Sequence, residues 1–311
     1  MRPIENEILH SIRYFAFFKY APTADEIYCF LKTKALKRHF TGILDFMVKK
    51  GVVVSFQRRL EPRRCLIPDQ VQNDKVFKYT LGEYSISLKD QSSKFKISCQ
   101  KIKKIERYIG LLSLFSQIRL IGLSGTVAMM NAVKDDDIDL FIITAGNRLF
   151  TGRFIALVLA QLMGLRRKYQ KKPDDRPANS DKVCLNLFFD ESDMKIPKKK
   201  QTEYVAHEVL QMKPVAVKGD VYGRFMKANG WVFDIFPNAR TVSSIKNKVS
   251  GINKVNTKYF ILNTCADWIE ILLQKLQLYF IRRHQTKELI TDRQLWFHPE
   301  DFGEKITPLR S

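Results

Sequence analysis

The spacing of apolar positions divides this chain into a helical beginning, a strand-rich middle and a mostly helical end. Ile8, Ile12, Phe15 and Phe18 recur near a helical period and predict a first helix between Ile4 and Tyr20, which Pro22 ends. Thr23 followed by Glu26 is a capping-box pattern and opens a short second helix through Leu31. Phe40, Ile43, Leu44 and Met47 line one side of a third helix over 36–49, with Gly51 as its stop. The run 52–56 reads as a strand. A basic turn with Arg58, Arg59, Arg63 and Arg64 follows it, and a return strand is expected near Cys65, Leu66 and Ile67. Between 74 and 93 the pattern is weak, with Tyr79, Tyr84 and Ile86 hinting at loop and short extended structure. Ile102, Ile105, Ile109 and Leu112 then alternate with Lys101, Lys103, Lys104 and Arg107, which predicts a long basic amphipathic helix over 94–116.

The next segments change period. Leu120 to Leu123 is a short apolar run that ends in Ser124-Gly125-Thr126, and 127–133 is helix-like. A second strand opens with Asp135, Asp136, Asp137 and Asp139 and becomes wholly apolar through Ile143. The run 150–165 is apolar almost all round, which predicts a helix buried against a sheet. Residues 166–181, polar and twice broken by proline, read as a loop, and 183–190 as a third strand. The remainder reads as helical: 203–212, which contains His207 and Glu208; 221–228; an apolar segment 231–237; a polar, mobile stretch 241–258; and an amphipathic helix 260–283. The aromatic tail at Trp296 and Phe297 is expected to be tied down. The fold class is therefore α+β. Its units are an N-terminal module (1–72), a connector with the basic helix (73–118), a central sheet domain (119–200) and a helical C-terminal region (201–311). Three helices and a hairpin in the first unit describe a winged-helix module, whose third helix would present Lys37 and Arg38 to nucleic acid. Such modules also dock proteins, and those two residues equally suit a solvated face.

Composition narrows the class further. The 311 residues carry 53 Lys and Arg against 32 Asp and Glu, a net charge of +21, which favours a polyanionic partner. Five cysteines, far apart and without a Cys-x-x-Cys pair, argue against a disulfide framework or a zinc site and fit a reducing cytoplasm. The start of the chain has acids before any apolar run, unlike a secretory signal, and no stretch suits a membrane span.

The chemistry concentrates around Asp137 and Asp139. Two residues apart on a strand, they share a face at a spacing of roughly 6–7 Å, while Ile138 and Leu140 turn the other way. Paired carboxylates on a buried strand repel each other unless a cation or proton lies between them, and oxygen-only ligation suits Mg²⁺. Ser124 and Gly125 add a hydroxyl and an unobstructed backbone at the preceding turn. The pattern Gly122-Leu123-Ser124-Gly125, then Asp137-Ile138-Asp139, resembles the signature of the DNA polymerase β-like nucleotidyltransferase superfamily, the minimal type in particular. It departs from it where Leu123, not Gly, precedes Ser124. The resemblance covers 119–190 and implies NTP as substrate. It places the triphosphate at Gly122, Ser124, Gly125 and Thr126, and two Mg²⁺ on Asp137 and Asp139. A third carboxylate is expected on a later strand. There the sequence has Asn186, an amide that cannot act as a base, with Asp190 four residues on; either Asn186 or Asp190 completes the catalytic set. The expected function is nucleotidyl transfer to a hydroxyl of a nucleic acid, a protein or a small molecule. The alternatives are a turnover-free nucleotide sensor or nucleic-acid adaptor, and a purely DNA-binding regulator.

Overall fold

The computed structural model describes residues 3–59, 75–84, 86–167, 180–240, 267–283 and 288–297. The return strand expected near Cys65, the loop 168–179 and the stretch 241–258 lie outside these, as does the start of the helix expected from 260.

The N-terminal helices follow the apolar spacing closely. α1 (Pro3–Phe17), α2 (Ala24–Cys29) and α3 (Lys37–Lys49) pack around Ile8, Ile12, Ile27, Leu31, Phe40, Leu44 and Met47. The capping box is present: the Thr23 hydroxyl accepts from Glu26 N, and the Glu26 carboxylate accepts from Thr23 N. β1 (Val54–Arg59) pairs antiparallel with β2 (Lys75–Thr80), so the short extended structure hinted at around Tyr79 is a regular strand. Its period was hidden because Lys75 and Lys78 interrupt the alternation; Lys78 is nonetheless buried, its ammonium donating to the Tyr20 hydroxyl and lying beside Glu26. α4 (Leu88–Ser113) begins earlier than the apolar spacing indicated, because the Ser87 hydroxyl accepts from Asp90 N and caps an additional, polar turn.

The centre is a six-stranded mixed sheet. β3 (Ile118–Leu123), β4 (Ile138–Thr144) and β5 (Val183–Asp190) form its core, β3 with β4 antiparallel and β4 with β5 parallel. Between β3 and β4 lies the short α5 (Gly125–Ala128), and between β4 and β5 the helix α6 (Leu149–Leu162). β6 (Lys213–Val217) adds to the outer edge of β3; β7 (Leu289–Ile290) and β8 (Gln294–Trp296) extend the other side, in the order β6-β3-β4-β5-β8-β7. The C-terminal region is thus not purely helical, because it supplies three strands of the sheet. β6 was missed because it is short and contains Pro214, which a sheet tolerates at an edge position such as this one.

The alternation along β4 builds two cores. Ile138, Leu140 and Ile142 face one side, where α4 and α6 cover them with Ile102, Ile105, Tyr108 and Ala156. Phe141 and Ile143 face the other, in the same cluster as Tyr14, Phe15 and Phe30 of the N-terminal module and Val205, Val209 and Phe225. These last come from α7 (Glu203–Gln211) and α8 (Val221–Ala228); α9 (Val232–Ile235) follows. The N-terminal unit is therefore built into the acid-bearing side of the sheet.

α6 corrects a further expectation. Its apolar surface is not buried all round: Phe154, Val158 and Leu162 are exposed, Leu162 by 78%. Its other side meets α10 (Asp267–Arg282), whose buried Glu270 carboxylate accepts from Phe150 N and Thr151 N and so caps the start of α6. No helix among the described residues is long and apolar enough to cross a membrane.

One ion cluster joins the N-terminal module to α7. Glu203 accepts from the Lys32 ammonium at 2.8 Å and lies 3.0 Å from His10 Nε2. Burial raises its pKa, but the hydrogen bonds to His10 and Lys32 outweigh that and hold it well below the usual carboxylate range. A depressed carboxylate stabilises the fold above its unfolded pKa of about 4.3 and loses that contribution as pH falls. Glu203→Gln is therefore expected to cost about 2 kcal/mol at pH 7, and the gap from wild type should begin to narrow below about pH 5 and go on narrowing below pH 3. Thermal melts across that range check it; a gap independent of pH would refute the assignment.

Candidate functional site

The turn after β3 and the start of β4 meet in space. Gly125 has φ +61°, a left-handed conformation that glycine adopts without strain. A Cβ there would lie 2.6 Å from Asp139 Oδ2, so the carboxylate rests against the bare backbone of the turn. Ser124 N donates to Asp139 O at 3.1 Å. The loop before β4 is held from below by Lys101 of α4, 1% exposed, whose ammonium donates to Lys134 O, Asp136 O and Asp181 Oδ1. Asp136 turns inward, its carboxylate accepting from the Thr126 hydroxyl and from Val133 N. Thr126, expected at the phosphates, thus uses its hydroxyl to brace the loop. Gly122 is also a packing position, since a Cβ on it would meet Met212 Sδ at 2.5 Å.

Asp137 and Asp139 lie together as their spacing required, and the third member of the cluster is Cys184, with ligand atoms all within 4.8 Å of one another. In register, Cys184 stands directly opposite Asp139. Its thiol shares a hydrogen bond with the Asp139 carboxylate, and burial first, then the two nearby acids, push its pKa up, so it remains protonated. Asn186 donates to the Cys184 sulfur and stands one step behind it. A register shift in β5 between Cys184 and Leu187 then sets Leu187 opposite Phe141.

Asp190 does not belong to this site. It pairs with Thr144 at the far end of β4, about five residues or roughly 16 Å along the strand from Asp139. It is 1% exposed and accepts from Ser192 N and Arg148 N, a structural carboxylate that fixes the loop after β5 and the start of α6. The same-face expectation fails as well: the shift in β5 sets Asp190 opposite Thr144, on the Ile142 side of the sheet and away from Asp139.

Two charged residues outside the expected set join the acids. Arg167 Nη1 donates to Asp137 Oδ2 at 2.8 Å and approaches the Cys184 sulfur. From α7, the Glu208 carboxylate accepts from Gly125 N and from the Tyr204 hydroxyl. Burial raises Glu208 to about 7. Burial, followed by repulsion from Asp137, raises Asp139 to about 7 as well. The His207-Glu208 pair thus divides: Glu208 faces the acids, while the buried His207 ring stacks on Tyr14 and Phe30 as a packing group, its pKa driven down by burial. The sequence marked the His207-Glu208 pair and the basic start of the 166–181 loop but tied neither to the acids, and it did not mark Cys184, because strand register and helix docking bring them in.

The two neighbouring carboxylates are ligands of the kind that a hard, oxygen-seeking cation takes from a protein. The protonated thiol serves Asp139 as a hydrogen-bond donor instead.

Beside the acids opens a cavity of about 360 Å³. Phe141, Leu187 and Phe189 of the sheet line it, with Tyr14 and Phe18 of α1, and Ser124, Gly125, Asp139 and Glu208 stand at its polar side.

The proposed nucleic-acid residues lie elsewhere. Lys37 pairs with Asp25 at 2.8 Å, and Arg38 borders a surface hollow together with the exposed apolar Leu36 and Phe46.

Comparison with known proteins found no matching family model, no matching curated protein and no matching solved structure.

Proposed function

We propose that this chain is a nucleotidyltransferase of the polymerase β-like, minimal type, with an N-terminal winged-helix-like unit, moving a nucleoside monophosphate from NTP to a hydroxyl acceptor. The observation that carries the reading is the contact between Gly125 and the Asp139 carboxylate. It joins the Ser-Gly turn to the acid pair, as a triphosphate held at one and charge-neutralised at the other requires. Asp137 and Asp139 would hold Mg²⁺. When bound, such ions neutralise charge on the phosphates and act as Lewis acids.

The chain's own groups divide the remaining work. Ser124 and Gly125 seat the phosphates, with Glu208 withdrawing from the Gly125 amide as they arrive. The acceptor oxygen forms a bond to the α-phosphorus while the bond to the departing pyrophosphate breaks. Asp139 and Glu208 are the carboxylates placed to take the hydroxyl proton. The cavity wall excludes water, which would otherwise compete as acceptor.

Binding without turnover is the second reading. Asn186 in place of a third strand carboxylate, Arg167 on Asp137 and Glu208 on the turn amide favour it. One experiment separates the two. Incubated with α-labelled NTPs, Mg²⁺ and cell extract, the protein is expected to transfer label to a fraction that names the acceptor class. No label in any fraction, with Mg²⁺-dependent NTP binding retained, would establish the sensor reading instead.

A further inference from the structure

The cavity beside Asp139 has the make-up of a small-molecule site rather than of a nucleic-acid channel. Its floor and roof are aromatic and aliphatic, and among its described lining residues Lys200 is the one cation. A polynucleotide acceptor would need Lys and Arg along its backbone path. A cavity of about 360 Å³ lies instead at the small end of the range for compact organic ligands.

Ser124, Asp139 and Glu208 give the cavity its polar end, while Phe141, Leu187, Phe189 and Phe225 supply the rest of its wall. That is the pattern of a site for an apolar body carrying one polar group.

We infer that the cavity binds an uncharged, mainly apolar molecule bearing a hydroxyl, and that this molecule is the acceptor. The ligand's apolar body lies against Phe141, Leu187 and Phe189, and its hydroxyl is placed beside Asp139 and Glu208. The role as acceptor rests on the transfer proposed above; the binding does not.

The test is calorimetric titration of the full chain with 2-naphthol, an apolar bicycle with one hydroxyl. Saturable binding below about 1 mM is expected. Leu187→Trp and Met129→Trp, which fill the cavity from two different elements, should each abolish it. Lys104→Met, which does not line the cavity, should leave it within twofold. Binding should persist in the presence of Mg²⁺ and ATP. Absence of saturable binding to the wild type, or unchanged binding in a folded cavity-filling variant, overturns the inference. So does displacement by ATP, which would make the cavity the nucleobase site. If 2-naphthol binds as described while no nucleotidyl transfer is found to any acceptor, the transfer reading falls and the ligand site stands.

Discussion

Asp139→Asn is expected to lower nucleotidyl transfer at least about a thousandfold while the protein melts at the same temperature as wild type or higher. The activity loss follows from removing one of two anionic positions on which phosphate charge is neutralised. The stability result follows from the cost of that anion. Burial and Asp137 raise the carboxylate to about 7, so its ionisation opposes folding once pH exceeds the unfolded value near 4. The penalty grows up to pH 7 and is constant above it. Wild type should therefore gain on Asp139→Asn by about 1 kcal/mol per pH unit as pH falls from 7 towards 5. Asp137→Asn should match the activity loss. Activity within tenfold of wild type in either variant would remove the acid pair from the chemistry. A lower melting temperature would instead mean that the carboxylate braces the turn.

Lys101→Met is the substitution expected to cost most in stability, about 3 kcal/mol. The methionine fills the volume of the lysine stem but leaves Lys134 O and Asp136 O without their donor in a buried setting. Asp181 keeps Lys104 as a partner, which limits the loss on that side. Because the same loop carries Asp137, transfer should fall together with stability, whereas Lys104→Met, at an exposed position, should change both little. Chemical denaturation of the two variants checks this. Equal stabilities would place the loop's support elsewhere.

How far the sequence could be read depended on the range of the interaction. Phe40, Ile43, Leu44 and Met47 declared α3, and Thr23 with Glu26 declared the start of α2, because helix spacing and capping are local. Asp137 and Asp139 shared a face as the strand period demanded. The partners of those acids were invisible. Cys184 opposite Asp139 depends on the register of two parallel strands joined through α6, and Glu208 depends on how α7 docks. Asp190 was placed by an unbroken period, and the register shift in β5 puts it at the far end of the strand and on the other side of the sheet. The strands of the C-terminal region failed for a simpler reason: β7 and β8, at two and three residues, are too short to display any period.

The side of the sheet that carries Asp139 shares one apolar cluster with Tyr14, Phe15 and Phe30. An N-terminal unit that looks like a detachable reader module is thereby, through Tyr14 and Phe18, a wall of the cavity beside the acids. Such a unit cannot be exchanged between proteins as a cassette, nor vary its packing surface without altering that cavity. A partner that grips α1 through α3 would reshape the roof over the acids, so binding on the outside and the shape of the cavity would be coupled through a common hydrophobic wall.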